Sequence, residues 1–461
     1  MMNAQRLSPL NQHLVTELRN DATLAAERFD LRHESVPPFL YGYPYEVSAW
    51  PIFVNGRFIR EQIEPLLVPM PRILYQSLSA RFSDSTAMAE YFGWPELICE
   101  MFAQAPVDPR DLLIRYDAVL DDNGLKLIEN NFGSSAGGWQ SDYFQPQMRT
   151  RLSRLEQSQA KNFRYRFILP AMLKTLAAGI CRRKPAGAAG NLLVYHTFSP
   201  GGPNLANFHD SLQSVYDAVK PPAIAGGRVT ILRSFDDIGF TSAGEVFVDG
   251  KIMDAFIMGD ALYTDIPQAM LNRLIAAHLR DQLVFPDSPF HLLLGDKGVL
   301  ALMHECVSAR LLDPADCALI KRYVPWTARL LDQEVLLEGV HVPLVQHLLA
   351  HKDDFVIKKF HSSSGRDVVV GRHVDADTWG TMIRAYAETR APWIVQQFCT
   401  PSLLDLHDAA LGVVPHKLIW GIFSYGGEYA GAFVRTDRGV ELQGVINSAT
   451  GATELPVFEV D

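Results

Sequence analysis

Residues 111–139 read DLLIRYDAVLDDNGLKLIENNFGSSAGGW. Two apolar-alternating runs, LLIRYDAVL and LKLIENN, flank Asp121-Asp122-Asn123-Gly124, which is turn chemistry between strands. A three-residue loop, Asp122-Asn123-Gly124 with Gly124 left-handed, predicts a hairpin in which Asp117 faces Glu129 and Arg115 faces Asn131. Period-two alternation then puts Arg115, Asp117, Glu129 and Asn131 on one face. The other face takes Ile114, Tyr116, Ala118 and Leu120, with Ile128 from the second strand. Two carboxylates and an amide oxygen converging in this way suit Mg²⁺, which takes oxygen ligands and commonly shares them with substrate phosphates. Arg115 can neutralise phosphate oxygens beside them. A solvated surface hairpin laced with salt bridges would carry the same residues, so the hairpin does not decide its role alone.

Further along, FVIKKFHSSSGRDVVVG (residues 355–371) predicts strand, loop, strand. Lys358 supplies a compact cation, and Ser362, Ser363, Ser364 and Gly365 can turn backbone N–H groups toward a phosphate. The spacing is not that of a Walker A loop, and strands flank it on both sides. PWIVQQFCTP (residues 392–401) predicts a buried strand whose Gln396, Gln397 and Phe398 can cover and bind an adenine ring. Lys297 stands at a predicted helix start, and Arg435 at a strand end. There is no GxSxG, no HExxH and no metal-ligand spacing among the fourteen histidines.

The surrounding chain alternates in type. The first hundred residues read mostly helical, broken by a Pro- and aromatic-rich stretch at 37–51, and helical spacing returns at about 146–182. After the small-residue linker at 184–190 come strands at LLVYHTF, RVTILRSF, EVFVDGKIMDAFIMG and HLLLG, with helices near 207–219 and 266–282. That alternation indicates an α/β lobe. From about 310, helices run to about 351. The strand–loop–strand unit, a helix near 377–390 and the WIVQQF strand follow. A hairpin around Gly426-Gly427 comes last. Three regions result: 1–110, mostly helical; 111–310, with the metal hairpin; and 311–461, with the phosphate loop.

Bulk properties narrow the class. The 461 residues are 48% hydrophobic and 20% charged, enough apolar material for a large core. A formal charge of −10 argues against a dedicated nucleic-acid binder. Five scattered cysteines without a CxxC pair fit reduced thiols and a cytoplasmic location, and no apolar run is long enough to span a bilayer.

Together these segments resemble the ATP-grasp superfamily. Its metal-binding strand pair normally closes the domain, yet here Arg115, Asp117, Glu129 and Asn131 precede the Lys358 strand, the Ser/Gly loop and Gln396-Gln397. That order is similar to the circularly permuted branch, which includes the synthetase domain of glutathionylspermidine synthases. The resemblance implies an α/β (α+β) fold with mixed and antiparallel sheets and a mobile nucleotide-binding lid. It implies a carboxylate–amine ligase that uses ATP and Mg²⁺ and passes through an acylphosphate. Asp117, Glu129 and Asn131 would hold Mg²⁺. Arg115 would stabilise the transferring phosphoryl group, and Lys297, Lys358 and Arg435 would bind the phosphates. Ser134 and Ser135 are candidates for substrate contact. Expected partners are small-molecule or peptide acids and amines, with no nucleic acid and no membrane. A small-molecule kinase and a non-catalytic ATP-binding scaffold are the alternatives.

Overall fold

The computed structural model describes residues 7–104, 107–154, 163–185, 187–196, 203–259, 263–362, 365, 367–408, 410–438 and 445–461. Its centre is an eight-stranded sheet. Six strands lie in the spatial order Ile52–Asn55, Thr453–Val460, Glu428–Arg438, Gly412–Tyr425, Leu113–Asp121, Gly124–Phe132. Leu404–Asp408 pairs with Gly412–Tyr425, and Phe163–Tyr165 with Thr453–Val460. Only the Ile52–Asn55 edge is parallel, so the sheet is mixed and mainly antiparallel.

The hairpin at its other edge has the expected pairs, Arg115 with Asn131 and Asp117 with Glu129, but reaches them by another route. The loop is two residues long: Asp121 pairs with Gly124, and Asp121 Oδ1 accepts from the Asn123 N–H at 2.7 Å. That loop alone would set Asp117 against Ile128. A β-bulge between Asp117 and Ala118 takes up the extra residue and restores the register. The bulge also corrects the expected face of Ile128. Leu125 and Leu127 join the core with Tyr116, Ala118 and Leu120, whereas Ile128 lines the open cleft beside Glu129.

The C-terminal hairpin turns at Gly426 and Gly427, with φ of +61° and +83°. A two-residue hairpin loop matching strand twist demands positive φ at both positions, which glycine adopts without strain.

A three-stranded parallel sheet, Ala255–Ile257, Leu192–Tyr195, Val229–Leu232, packs beside the main sheet. A four-stranded antiparallel sheet follows in the order Thr327–Arg329, Trp393–Gln397, Phe355–Lys359, Val368–Val370. It has its own core. On helix Ala376–Thr389, whose N-terminus is capped by Asp375, Trp379, Ile383 and Ala387 recur at four-residue spacing and are buried. Burying a side chain such as Ile383 contributes about 1.5–3 kcal/mol.

Several expected elements change type. HLLLG belongs largely to helix Pro289–Leu293, because Pro289 opens a first turn and the run is too short to pair. The stretch expected to stay helical to about 351 contains strands Thr327–Arg329, Glu334–Leu337 and Val340–Pro343. Strands Ile52–Asn55 and Thr453–Val460 were not expected. No helix among the described residues is long and apolar enough to cross a membrane.

One close approach governs the centre of the sheet. A Cβ on Gly421 would stand 2.3 Å from Phe433 Cε1 and 3.1 Å from Arg115 Cδ. Gly421→Ala therefore has to displace the ring, and overpacking of this kind costs about 1–3 kcal/mol. Urea denaturation should show a lowered midpoint with an unchanged m-value. An alanine variant as stable as the wild type would mean that the ring is not seated over Gly421.

Candidate functional site

The main sheet and the four-stranded sheet face each other across a cleft of about 910 Å³ that is partly open to solvent. From the main sheet come Asp117, Val119, Ile128, Glu129, Lys417, Ile419 and Arg435. From the opposing sheet come Val356, Lys358, Val368, Val370, Gln396, Gln397 and Phe398. The apolar side chains form two walls of a slot. Of the charged ones, Asp117, Glu129, Lys358 and Arg435 gather at the hairpin end, and Lys417 lies farther along the slot.

Asp117 is the centre of that charged end. Its Oδ1 accepts from Arg115 Nε at 2.8 Å, and Arg435 Nη2 lies 2.7 Å from Oδ2. Burial pushes the Asp117 carboxyl up, but the two guanidiniums outweigh it and hold the pKa at about 2. The Arg435 contact is an ion pair without an aligned hydrogen bond; Arg435 Nε and Nη2 are buried and lack an acceptor. Arg115 spends Nε and Nη2 on Asp117, which leaves Nη1, on the side of Gly137.

Glu129 pairs with Lys297 Nζ at 2.9 Å. The same ammonium donates to the Ser362 carbonyl at 2.5 Å, so Lys297 ties the hairpin to the base of the Ser/Gly loop. Lys297 opens helix Lys297–Ser308, capped by Asp296 through the Gly298 N–H at 2.7 Å. Asp296 also holds His361, whose other ring nitrogen lies 2.7 Å from the Phe92 carbonyl.

Lys358 is buried. It donates to Gln396 Oε1 at 2.8 Å and to the Ile128 carbonyl at 3.0 Å, the carbonyl of the bulge residue. Burial, and the like charge of Lys297, lower its pKa to about 8 against the pull of Glu129. Gln396 is fully engaged, since its amide nitrogen donates to Thr327 Oγ1 at 3.1 Å.

Asn131 directs its amide N–H at the Arg115 carbonyl, at 3.4 Å, which leaves its amide oxygen as an acceptor. Asp117, Glu129 and Asn131 thus form an oxygen donor set of the hardness Mg²⁺ takes. No cluster of three or more His, Cys, Asp or Glu capable of caging a metal exists among the described residues.

The other expected contacts sort as follows. Gly365 lies against the 445–447 segment; with φ of +72°, its Cβ would fall 2.7 Å from Val445 Cγ1. Ser363 and Ser364 lie outside the described residues. The N–H groups of Gln397 and Phe398 are used by the Trp326 and Asp354 carbonyls, so these residues can offer a ligand only carbonyls and side chains. Ser134 is turned inward: its amide and hydroxyl both donate to buried Asp287, at 2.6 and 2.7 Å. Ser135 is half-buried on the short 3-10 turn Ser134–Ala136.

Residues not anticipated also meet here. Lys417, His373 and Asn447 line the cleft. Glu454 stands opposite Arg435 and accepts from Tyr43 Oη at 2.6 Å and Ser448 Oγ at 2.5 Å. Lys417 was discoverable, since it shares the strand parity of Ile419. Tyr43 and Glu454 carry no such sequence signal.

No known family profile matches the chain. No curated protein sequence matches it either. Among solved structures, it is similar to a glutathione synthetase-like effector from Globodera pallida in its apo form, at 11% identity and a TM-score of 0.59, over 98% of both chains. At that identity the likeness establishes the fold alone: a glutathione synthetase-like, mixed α/β architecture.

Proposed function

We propose that the protein is an ATP-dependent carboxylate–amine ligase of the circularly permuted ATP-grasp type, forming ADP through an acylphosphate. The observation that carries this reading is the two-ended cleft. Asp117, Glu129, Lys358 and Arg435 line one end, and an apolar slot leads away from it. A base fits the slot, and phosphates meet the cations. In this reading residues 311–461 supply the nucleotide lobe, with the Ser/Gly loop as its lid, and residues 111–310 supply the metal hairpin.

Mg²⁺ held by Asp117, Glu129 and Asn131 would neutralise phosphate oxygens in the reaction. Lys358, Lys297 and Arg435 bind the β- and γ-phosphates. Arg115 presents Nη1 to the transferring phosphoryl group while Asp117 fixes its plane. A substrate carboxylate oxygen attacks the γ-phosphorus, the bond to the bridging oxygen breaks, and ADP leaves. The amine nitrogen then attacks the acyl carbon, and phosphate departs as the amine gives up its proton. The loop at 362–365 excludes water from the acylphosphate.

One observation favours the non-catalytic alternative: both hairpin carboxylates are already paired with protein cations. In the ligase reading, phosphates draw Arg435 and Lys297 away and so release Asp117 and Glu129. Calorimetry then separates the states. Mg²⁺ alone should show no binding to the nucleotide-free protein, whereas Mg²⁺ should bind in the presence of a non-hydrolysable ATP analogue. Tight binding of Mg²⁺ alone contradicts the exchange.

Turnover tests the chemistry. An ADP-release screen over paired acids and amines should give signal that depends on both partners, and product that requires the amine excludes a kinase. Asp117→Ala and Glu129→Gln should each reduce ADP release on the order of 10²–10³-fold, a typical loss for charge-stabilising groups. Wild-type turnover in both variants would falsify the metal assignment.

The lowered Lys358 pKa sets a pH dependence. The ammonium is charged below about 8 and neutral above it, so nucleotide affinity should fall as pH rises through 8. Lys358→Arg keeps its charge at every accessible pH and should flatten that fall. Identical profiles for the two proteins between pH 7 and 9.5 would show that Lys358 does not contact phosphate.

A further inference from the structure

The slot has a second basic end. Lys417 lies two residues before Ile419 on strand Gly412–Tyr425, and both line the cleft. Gly421, the partner of Asp117, is four residues from Lys417, or about 13 Å of strand at ~3.3 Å per residue. His373 lines the same cleft from the opposing wall, three residues beyond Val370. Val370 pairs with Val356, so His373 continues away from the Lys358 level. Ile419 pairs with Arg435, so Lys417 lies one diagonal step beyond Arg435 and farther than it from the hairpin.

Among the described residues, the Lys417 ammonium has no hydrogen bond and no carboxylate within ion-pair distance. Its cross-strand neighbour, Asp437, instead accepts from the Arg438 N–H at 2.8 Å. Burial, and then the positive charges of Lys417, Arg372 and Lys352, lower the pKa of His373, so its imidazole faces the cleft as a neutral hydrogen-bonding group at pH 7. The cleft-lining carboxylates among the described residues, Asp117 and Glu129, both belong to the hairpin end. Carboxylates at the sugar end of a nucleotide site suit ribose hydroxyls, whereas basic groups there suit a sugar-borne phosphate. An ammonium facing a cavity with no carboxylate within ion-pair distance attracts an anion there, and a neutral imidazole can add a hydrogen bond to it.

We propose that Lys417 and His373 form an anion subsite at the end of the slot away from the hairpin, beyond Arg435. It takes a phosphate-type group, carried either on the ribose of the bound nucleotide or by a separate inorganic anion. The inference rests on the nucleotide reading given above and extends it.

Calorimetry on the full chain tests it with Mg-ADP, with ADP phosphorylated at the 2′ or 3′ hydroxyl, and with inorganic phosphate added to ADP-saturated protein. If the sugar carries the group, the wild type should prefer a phosphorylated nucleotide over ADP by at least about tenfold, as a charge-assisted contact gives. Lys417→Met should bring that ratio near one, and Lys417→Arg should restore it. If the anion is separate, the nucleotides should bind alike, and inorganic phosphate should bind to the ADP-saturated wild type but not to Lys417→Met. Equal nucleotide affinities with no phosphate binding overturn the subsite while leaving the nucleotide reading intact. Failure of the wild type to bind any nucleotide overturns that reading, and the subsite with it.

Discussion

The site depends on the carboxylate of Asp117, held between Arg115 of its own strand and Arg435 from two strands away. For Arg435 to reach it, the intervening strand must present almost nothing between them. That strand presents Gly421, which pairs with Asp117 on one side and Phe433 on the other. The Phe433 ring occupies the space a side chain would take, and both guanidiniums lie within 6 Å of its centroid, at 5.7 and 5.6 Å. Three chain segments are thereby fixed through one buried anion. Removing a single partner from such a cluster leaves uncompensated charge, at a general cost of about 3–5 kcal/mol. In the proposed ligase, the rigidity that results would hold the plane of Arg115 during phosphoryl transfer.

The hairpin was legible because its information is local. Alternation, turn residues and spacing placed Arg115 opposite Asn131 and Asp117 opposite Glu129. Its loop was misread by one residue, and the bulge at Ile128 cancelled the error. A bulge leaves no mark in composition, because the inserted residue is an ordinary apolar one. It nevertheless does two things that alternation cannot express. It turns Ile128 into the slot, and it leaves the Ile128 carbonyl for Lys358. The unpaired position of a bulge is where a backbone acceptor is free for another partner.

The rest of the site was less legible because it is assembled by contacts between distant segments. Glu129 meets Lys297, Asp117 meets Arg435, and Tyr43 reaches Glu454. Each partner looks like a routine surface residue in its own window of sequence. The strands Ile52–Asn55 and Thr453–Val460 illustrate the same limit: both are mostly buried, and each gains its identity from pairing with segments distant in sequence. Ser134 fails in the opposite sense. Its window suggested an available hydroxyl, but a buried carboxylate from beyond the parallel sheet, Asp287, claims both its donors.

The charged end also contains more cation than anion. Arg115, Arg435, Lys297 and Lys358 face Asp117, Glu129 and Glu454, which neutralise only part of that charge. The protein eases the excess where it is most costly. Lys358, a buried ammonium without an ion pair among the described residues, is given neutral acceptors, the Gln396 amide and a carbonyl, and its pKa falls to about 8. Neutral acceptors orient a lysine without cancelling it, so its charge stays available to a ligand below that pH. A monovalent anion would leave the imbalance largely in place. A polyanion with several oxygens spread over the cluster can engage all four cations at once, and each carboxylate it uncovers becomes a ligand for a divalent ion. In the ligase reading, that charge imbalance would favour a metal–polyphosphate over either component alone.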